Sequence, residues 1–180
     1  MALSLSVVRH APTNAEGLCV GRHEVPTRLT AAECAEAIRV QLTRAPDVVH
    51  SSPVSRCAAP AGLLAASWKV PHRVDERLHE LHLGAWQGRP WASIERDEPA
   101  AFARYMDRWL DEPPPGGERP RDLEQRVAAW YGSLHDGHHL LVAHAGVVRA
   151  LTVQLEGLSW VDAMRAPVPH LVLQQLARRP

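Results

Sequence analysis

Short strand-like apolar runs alternate along this chain with longer segments that have helical spacing. Three of the runs end on polar residues: residues 3–8 lead into Arg9-His10, residues 47–51 into Ser52-Pro53, and residues 140–143 into His144-Ala145-Gly146. Strands that alternate with helices indicate a parallel sheet covered by helices. The pattern therefore predicts an α/β sandwich whose sheet is largely parallel.

Capping signals set the bounds of the predicted helices. Thr30 to Glu33 form a capping box that begins a helix ending at about Arg44. Ser52-Pro53 are typical of an N-cap and first helical position, and predict a helix through Ala66. The other predicted elements are a strand at His72–Val74, a helical stretch Trp91–Leu110 broken at Pro99, a helix Arg121–Leu134, a strand His139–Ala143, a helix from Gly146 to about Leu155 and a strand Leu171–Leu176.

Two loops interrupt this pattern. Residues 10–29 are rich in Gly, Pro and polar residues, and residues 112–118 contain three consecutive prolines and two glycines, which exclude helix and central strand. We interpret residues 112–118 as the rim of a site, because too little chain follows for a second core. Residues 1–180 are therefore predicted to form one domain.

Charge and composition exclude several classes of function. Acidic and basic residues balance at 20 each, so no strong field favours nucleic acid or an anionic membrane. Lys69 is the only lysine, which excludes a Gly-x-x-x-x-Gly-Lys phosphate loop and leaves one Schiff-base candidate. The three scattered cysteines are typical of reduced cytosolic thiols. No signal peptide and no apolar stretch of about 20 residues is present, which predicts a soluble cytoplasmic protein.

Two arginines and two histidines lie just past the ends of predicted strands: Arg9, His10, Arg56 and His144. The carboxyl edge of an open α/β sheet is where ligands bind. Arg56 falls in the first turn of a helix, where the dipole disfavours a cation by about 0.3–1 kcal/mol unless an anion or a nearby carboxylate compensates. His144 is either a capping histidine or part of an anion site at a helix N-terminus. Together these residues predict a pocket for a phosphoryl group.

Glu80 is the candidate proton donor. It lies in the otherwise apolar segment 78–86, and partial burial favours the neutral, proton-donating form of a carboxyl group. The alternative is a solvated loop acid. His79 and His82 beside it could suggest a metal, but the helical H-E-x-x-H spacing is absent. His135, His138 and His139 flank a turn at Asp136-Gly137 and are predicted to be solvated. No metal and no cofactor are expected.

Five ordered sequence blocks resemble the histidine phosphatase superfamily. They are Arg9 to Thr13 for R-H-G-x-T, Ser51 to Arg56 for S-S-P-x-x-R, Leu78 to Gly88 for L-x-E-x-x-F-G-x-W-E-G, Pro114 to Glu118 for P-x-G-G-E, and Val142 to Gly146 for V-x-H-x-G. The resemblance spans residues 3–149 and implies the phosphoglycerate mutase-like fold, a three-layer αβα sandwich with a mostly parallel sheet. Residues 17–26 resemble the G-x-x-x-G-x-x-x-x-P loop of the α-ribazole phosphatase branch of cobalamin synthesis.

The chain departs from the family pattern at three positions. Ala11 replaces a glycine and would be strained if that position needs a positive φ. Asn14 directly follows Thr13, whereas many relatives place two residues between them. Gln87 replaces a frequent glutamate and is not expected to affect the chemistry.

The resemblance implies a role for each site residue. His10 is the nucleophile that becomes phosphohistidine, with its tautomer fixed by a nearby carboxylate or carbonyl, and Glu80 first donates a proton and then activates water. Arg9, Arg56 and His144 hold the phosphoryl oxygens. The other expected substrate-binding residues are Thr13, Asn14 and Ala145 around the phosphate, and Arg22, His82 and Glu118 on the leaving-group side, where ordinary solvated loop residues are the alternative.

The function implied is a metal-independent phosphomonoesterase acting on a small-molecule phosphate, with α-ribazole 5′-phosphate as one candidate substrate. The alternatives are a broad-specificity sugar or nucleotide phosphatase, a phosphoglycerate mutase-type transferase, a phosphohistidine-protein phosphatase and a non-catalytic binding module. Neither nucleic acid nor membrane is an expected partner. A homodimer is compatible with the sequence.

Overall fold

Alternate residues of the central strands point to opposite faces of the sheet. The computed structural model describes residues 2–177. Its strands are β1 (Ser4–Arg9), β2 (Val48–Ser51), β3 (His72–Val74), β4 (His138–Ala143) and β5 (Leu173–Leu176). The sheet order is β3-β2-β4-β1-β5, and only β5 runs antiparallel to its neighbour, β1. The prediction of a mostly parallel sheet is confirmed.

Helices cover both faces of this sheet. They are α1 (Ala31–Arg39), α2 (Ser55–Trp68), α3 (Trp91–Asp97), α4 (Pro99–Arg108), α5 (Pro120–Tyr131), α6 (Ala145–Glu156) and α7 (Trp160–Arg165). Val7 and Leu141 pack in one core cluster with α5 and α6, whereas Val8 and Leu140 pack in another with α1 and α2. These two cores make the three-layer αβα sandwich that the sequence predicted. A third, aromatic cluster around Trp86 packs α3 and α4 against the loop that carries Cys19.

Several predicted boundaries were wrong. Helix α1 ends at Arg39 and not at about Arg44, because the Gln41 side chain donates to the carbonyls of Ala37 and Leu171 and the chain turns there. Strand β5 begins at Leu173, because Leu171 adopts a left-handed conformation (φ 56°) and donates its N–H to the Arg9 carbonyl.

The start of α2 was also predicted wrongly. Ser52 is not the N-cap, since its hydroxyl lies 2.9 Å from Nε2 of His144. The helix begins at Ser55 with Val54 as its N-cap, and the Glu24 carboxylate accepts from the Ser55 N–H. The helix continues to Trp68, beyond the predicted end at Ala66.

The ends of three further elements differ by one to three residues. Helix α5 covers Pro120–Tyr131 instead of Arg121–Leu134, α6 begins at Ala145 and ends at Glu156, and β4 begins at His138. Helix α7 lies in a stretch that the sequence left without an element.

His138 and His139 are buried, which contradicts the prediction that they are solvated. Both belong to β4, so the sheet places them inside the molecule. His138 Nε2 lies 2.8 Å from Ser6 Oγ, and His139 Nδ1 lies 3.0 Å from Nε2 of His50. Among residues 2–177, no helix is long and apolar enough to span a membrane.

Candidate active site

The end of β1 places Arg9 and His10 at the carboxyl edge of the sheet. The His10 N–H donates to the Ala143 carbonyl (2.9 Å), which extends the parallel pairing of β1 with β4 by one residue. His144 is the N-cap of α6 and follows β4 directly. The rings of His10 and His144 therefore meet edge to face, with their centroids 5.2 Å apart.

His10 is held as a neutral imidazole. Its Nδ1 lies 2.7 Å from the Ala11 carbonyl, and because a carbonyl only accepts, Nδ1 carries the hydrogen, which leaves the lone pair of the neutral ring on Nε2. The carbonyl expected to fix the tautomer is thus that of the next residue. Burial is the main cause that lowers the pKa of His10 to about 3; the bond to Ala11 opposes it, and the charges of Arg56 and Arg9 add to it. A neutral imidazole with a free lone pair on Nε2 is therefore available at ordinary pH.

Ala11 fits this turn without strain. Its side chain is fully buried, and it is not among the described non-glycine residues with a positive φ, which are Lys69 and Leu171. The strain that a glycine-to-alanine replacement could have caused is therefore absent at this position.

Arg56 is a buried cation that has no carboxylate partner within residues 2–177. Its guanidinium donates to the carbonyls of Gly21 and His23, each at 2.8 Å, and its Nη2 lies 3.4 Å from Nδ1 of His144. The residue is only 4% exposed. Among the described residues, no carboxylate lies within 4.0 Å of it. The alternative of a compensating carboxylate is thus not realised in the described structure.

Arg9 also lacks an ion pair within the described part of the chain. One of its terminal nitrogens donates to the Val168 carbonyl at 2.9 Å. The Nε atoms of Arg9 and Arg56 are both buried and have no hydrogen-bond partner among residues 2–177. Burying a charge is costly unless it is paired. Two such guanidinium groups beside a neutral imidazole make a strong site for an anion with several oxygens.

Glu80 lies at the N-terminus of α6. Its carboxylate accepts from the N–H groups of Leu81 (2.9 Å) and Gly146 (3.2 Å). Gly146 is required for this approach, since a side-chain carbon there would overlap Glu80 Oε1. Glu80 is half-buried and borders both cavities described below.

A cavity of about 150 Å³ joins these groups. Its lining residues are Arg9, His10, Thr13, Val20, Gly21, Arg56, Glu80 and His170. The structure thus brings together five of the predicted site residues. His144 lies behind them, fully buried, with Nε2 facing Ser52 and Nδ1 facing Arg56. Its pKa is well below the usual value, because of burial first and of the Arg56 charge second.

The remaining predicted site residues do not line this cavity. Asn14 is exposed, and Ala145 is buried as the first residue of α6. Arg22, His82 and Glu118 form a framework around the Glu80 backbone instead. Glu118 accepts from the N–H of His82 (3.1 Å) and from Arg22 (3.2 Å), and the Arg22 Nε–H donates to the Glu80 carbonyl (3.1 Å). Their role in substrate binding stays a prediction.

Arg126 completes this framework and was not identified from the sequence. It donates to both carboxylate oxygens of Glu118, at 2.7 and 2.9 Å, and to the carbonyls of Arg77 and Glu80. Burial raises the pKa of Glu118, but the bonds and charge of Arg126, the bond from the His82 N–H and the charge of Arg22 together lower it overall. Glu118 therefore remains an anion between two cations. A regular helical position in α5 gives no sequence signal for this contact.

A larger chamber of about 490 Å³ adjoins the small cavity and shares Arg9, Gly21 and Glu80 with it. The other lining residues are mostly aromatic or aliphatic: Leu81, Leu83, Trp91, Tyr105, Trp109, Pro120, Leu123, Gly146, Arg149, Trp160 and Met164. We call it the aromatic chamber. The shared residues place the aromatic chamber beside the cavity that Arg9 and Arg56 line.

The described residues contain no cluster of three or more His, Cys, Asp or Glu side chains arranged to hold a metal ion. The Nδ1 atom of His79 lies 3.1 Å from both the carbonyl and a carboxylate oxygen of Glu76. The local partner of His79 is thus an acid one helical turn away.

Known proteins resemble this chain over nearly its whole length. The model of the histidine phosphatase superfamily (branch 1) matches residues 5–179. The glucosyl-3-phosphoglycerate phosphatase of Mycolicibacterium vanbaalenii is 31% identical over 170 residues, which cover 86% of this chain and 74% of that protein. The adenosylcobalamin/alpha-ribazole phosphatase of Salmonella typhimurium is 28% identical over 160 residues, covering 85% and 79% respectively.

A solved structure agrees over almost the full length. The crystal structure of the alpha-ribazole phosphatase from Shigella flexneri superimposes with a TM-score of 0.86 at 25% identity. The match covers 96% of this chain and 89% of that chain. The names of these relatives state different substrates, but each of them is named as a phosphatase.

Proposed function

This chain belongs to branch 1 of the histidine phosphatase superfamily, and we propose that it hydrolyses small-molecule phosphomonoesters through a phosphohistidine on His10. One observation carries the proposal. The buried guanidinium group of Arg56 and the half-buried one of Arg9 lack carboxylate partners among the described residues, and both line one cavity with the His10 ring. A phosphoryl group would supply the ion-pair partner that these two guanidinium groups lack.

The first step transfers the phosphoryl group to the enzyme. The Nε2 lone pair of His10 attacks phosphorus, a P–N bond forms and the P–O bond to the leaving group breaks. Glu80, in its protonated form, gives its proton to the departing alkoxide. Arg9 and Arg56 hold the non-bridging oxygens and offset their charge during transfer, which is mainly a matter of positioning and electrostatics.

The second step releases phosphate. Water attacks the phosphorus of phosphohistidine, and the Glu80 carboxylate takes its proton. The P–N bond breaks, its electron pair returns to Nε2, and inorganic phosphate leaves. The positive charge in this pathway comes from arginine, so the proposal requires no metal ion.

The aromatic chamber supports a leaving group that carries a planar ring. Trp91, Tyr105, Trp109 and Trp160 line it, and the rings of Trp91 and Tyr105 are nearly parallel, with an interplanar angle of 13°. Aromatic walls stabilise an aromatic ligand by stacking and by burial of apolar area. A bare sugar or glyceryl group would leave these walls without an apolar partner. We therefore propose α-ribazole 5′-phosphate as the substrate among those that the relatives' names suggest.

The test is a comparison of kcat/KM for α-ribazole 5′-phosphate, ribose 5-phosphate, 3-phosphoglycerate and phosphoserine, with a chelator present and His10→Ala as the control. The expected result is activity on the ribazole ester that chelation leaves intact and His10→Ala abolishes. Even activity over the panel would retain the phosphatase and reject the ribazole assignment. Activity lost on chelation and restored by added metal would contradict metal independence.

A variant pair tests the chamber itself. Trp160→Leu removes one aromatic wall, and Trp68→Leu makes the same change at the far end of α2, away from the site. We expect Trp160→Leu to lower the ratio of kcat/KM for α-ribazole 5′-phosphate over ribose 5-phosphate. Trp68→Leu is expected to leave that ratio unchanged. An unchanged ratio in Trp160→Leu would contradict recognition of the ring by the chamber.

A further inference from the structure

His170 lies against the catalytic turn although it is distant from it in sequence. The segment that precedes β5 forms a bridge with the end of β1, where the Leu171 N–H donates to the Arg9 carbonyl at 2.9 Å. Leu171 adopts φ 56° to make this contact, a conformation that is costly for a branched residue and persists only where surrounding contacts enforce it. The structure thus holds His170 firmly at this place.

One edge of the His170 ring is engaged by the backbone. Its Nδ1 lies 2.6 Å from the His10 carbonyl, so Nδ1 carries a hydrogen and donates it. The ring centroids of His170 and His10 are 5.4 Å apart. His170 also lines the small cavity together with Arg9, His10, Arg56 and Glu80. Its Nε2 is the ring nitrogen that remains for a bound group.

We propose that His170 is a third basic contact for the phosphoryl group, which it meets as an imidazolium through Nε2–H. This inference rests on the proposed function, since it adds a residue to the same phosphate site. Neutral His170 would point a lone pair at a phosphoryl oxygen and repel it. Protonated His170 donates from both nitrogens, one to the His10 carbonyl and one to the anion.

Anion binding should therefore be coupled to proton uptake at His170. Burial lowers the pKa of His170, the bond to the His10 carbonyl opposes this, and the Arg9 charge adds to it. The other charged or titratable groups that share the cavity are His10, Arg56 and Glu80. A bound dianion beside Nε2 favours the charged ring and raises the pKa again. Anion binding and proton uptake at His170 then favour each other.

Variants with Asn or Phe at position 170 distinguish an anion contact through Nε2 from support of the His10 backbone through Nδ1. His170→Asn retains an N–H donor close to the position of Nδ1, and so can keep the bond to the His10 carbonyl, but it has nothing at Nε2. His170→Phe removes both nitrogens while it keeps the ring. Sulfate is the probe, because it resembles a phosphoryl dianion and does not itself titrate near neutral pH. Retained thermal stability shows that each variant is folded.

Calorimetry of sulfate binding to the full chain at pH 6, in two buffers of different ionisation enthalpy, measures affinity and proton uptake together. We expect His170→Asn to bind sulfate roughly tenfold more weakly than the wild type, as the loss of one charge-assisted hydrogen bond implies. It should also take up fewer protons per sulfate bound. The wild-type affinity should fall more steeply than that of the variant as the pH rises to 8.

Two results would overturn the proposal. Equal affinity and equal proton uptake in the wild type and His170→Asn would reduce His170 to a support for the His10 backbone. An impairment confined to His170→Phe would lead to the same conclusion. Failure of the proposed function is distinguishable, because the binding experiment needs no turnover. A chain that binds sulfate as expected but hydrolyses no ester would retain His170 as an anion contact and lose the phosphatase.

Discussion

The Glu80 carboxylate accepts the backbone N–H of Gly146 at 3.2 Å, which places the proposed proton donor against the first turn of α6. The contact depends on the absence of a side chain at position 146, where a methyl group would overlap Glu80 Oε1. His144 is the N-cap of this same helix. One glycine thus allows the acid and the phosphate pocket to share an edge of the sheet.

Gly146→Ala is expected to displace Glu80 and slow the hydrolysis of alkyl phosphates without a large loss of stability, since alanine favours helix by about 1 kcal/mol over glycine. Steady-state kinetics on an alkyl ester and p-nitrophenyl phosphate measure the effect. Gly62→Ala is the matched control, because a methyl group there meets His72 only at ordinary contact distance, 3.5 Å. Equal kinetics in the two variants would show that Glu80 needs no such approach.

Glu80→Gln removes the transferable proton while the side chain keeps its size. We expect the rate on alkyl phosphates to fall by roughly 10²–10⁴-fold, as for the loss of a general acid. The rate on p-nitrophenyl phosphate should fall much less, because that leaving group needs little protonation. Equal losses on both esters would remove the acid role from Glu80.

Glu118 and Arg126 are expected to act as positioning residues for Glu80. Arg126→Met removes the bonds to the carboxylate of Glu118 and to the carbonyl of Glu80, so the alkyl-ester rate should fall more than the p-nitrophenyl rate. A double-mutant cycle with Glu118→Gln should give a coupling energy of about 0.5–3 kcal/mol.

The same helix provides the control for this cycle. Arg119 pairs with Asp122 at 2.7 Å in an exposed position at the start of α5. Arg119→Met is expected to change neither rate, since exposed pairs contribute little. If Arg126→Met behaved like Arg119→Met, the framework would have no part in placing Glu80.

The candidate site residues that could be identified from the sequence are those that lie beside a recognisable strand end or helix start. Arg9 ends a strand, His10 follows it directly and Arg56 lies in the first turn of a helix, so local sequence is enough to assign each of them to the sheet edge. His170 and Arg126 have no such local signal. His170 contacts His10 because the chain before β5 pairs with the end of β1. Arg126 lies in α5 and donates to the Glu80 carbonyl, which is distant from it in sequence.

The errors of boundary have the same origin in long-range contacts. Ser52 looks like an N-cap in sequence, but its hydroxyl contacts His144, which follows the neighbouring strand β4. His138 and His139 look like turn residues, yet the pairing of β4 with β1 and β2 buries them. Helix α7 was within reach of sequence reasoning, because Ser159 caps it and accepts from the Asp162 N–H.

Ala11→Gly is expected to destabilise the protein, although glycine is the family's residue there. Ala11 is fully buried and free of positive φ, so glycine gains no relief of strain. The loss combines greater backbone freedom in the unfolded chain with one buried methyl group, about 1–2 kcal/mol in total. Urea denaturation measures it. A gain in stability would show that Ala11 is strained after all.

Acid should destabilise the fold through its buried histidines. His50 is 4% exposed, and burial, with His139 and Arg73 as further causes, lowers its pKa to about 4. Between about pH 6.5 and 4 the unfolded chain binds a proton at this residue that the folded chain does not, so stability falls as the pH falls. Each such group contributes a slope of up to about 1.4 kcal/mol per pH unit. His10, with a pKa of about 3, acts in the same direction.

Urea denaturation at pH 7, 6, 5 and 4 compares the wild type with His50→Asn. The variant loses the contact with His139 and is expected to be less stable at pH 7. The informative quantity is therefore the slope of the free energy of unfolding against pH, which should be smaller in the variant. Identical slopes would mean that His50 takes up no proton on unfolding, and that the acid sensitivity comes from other groups.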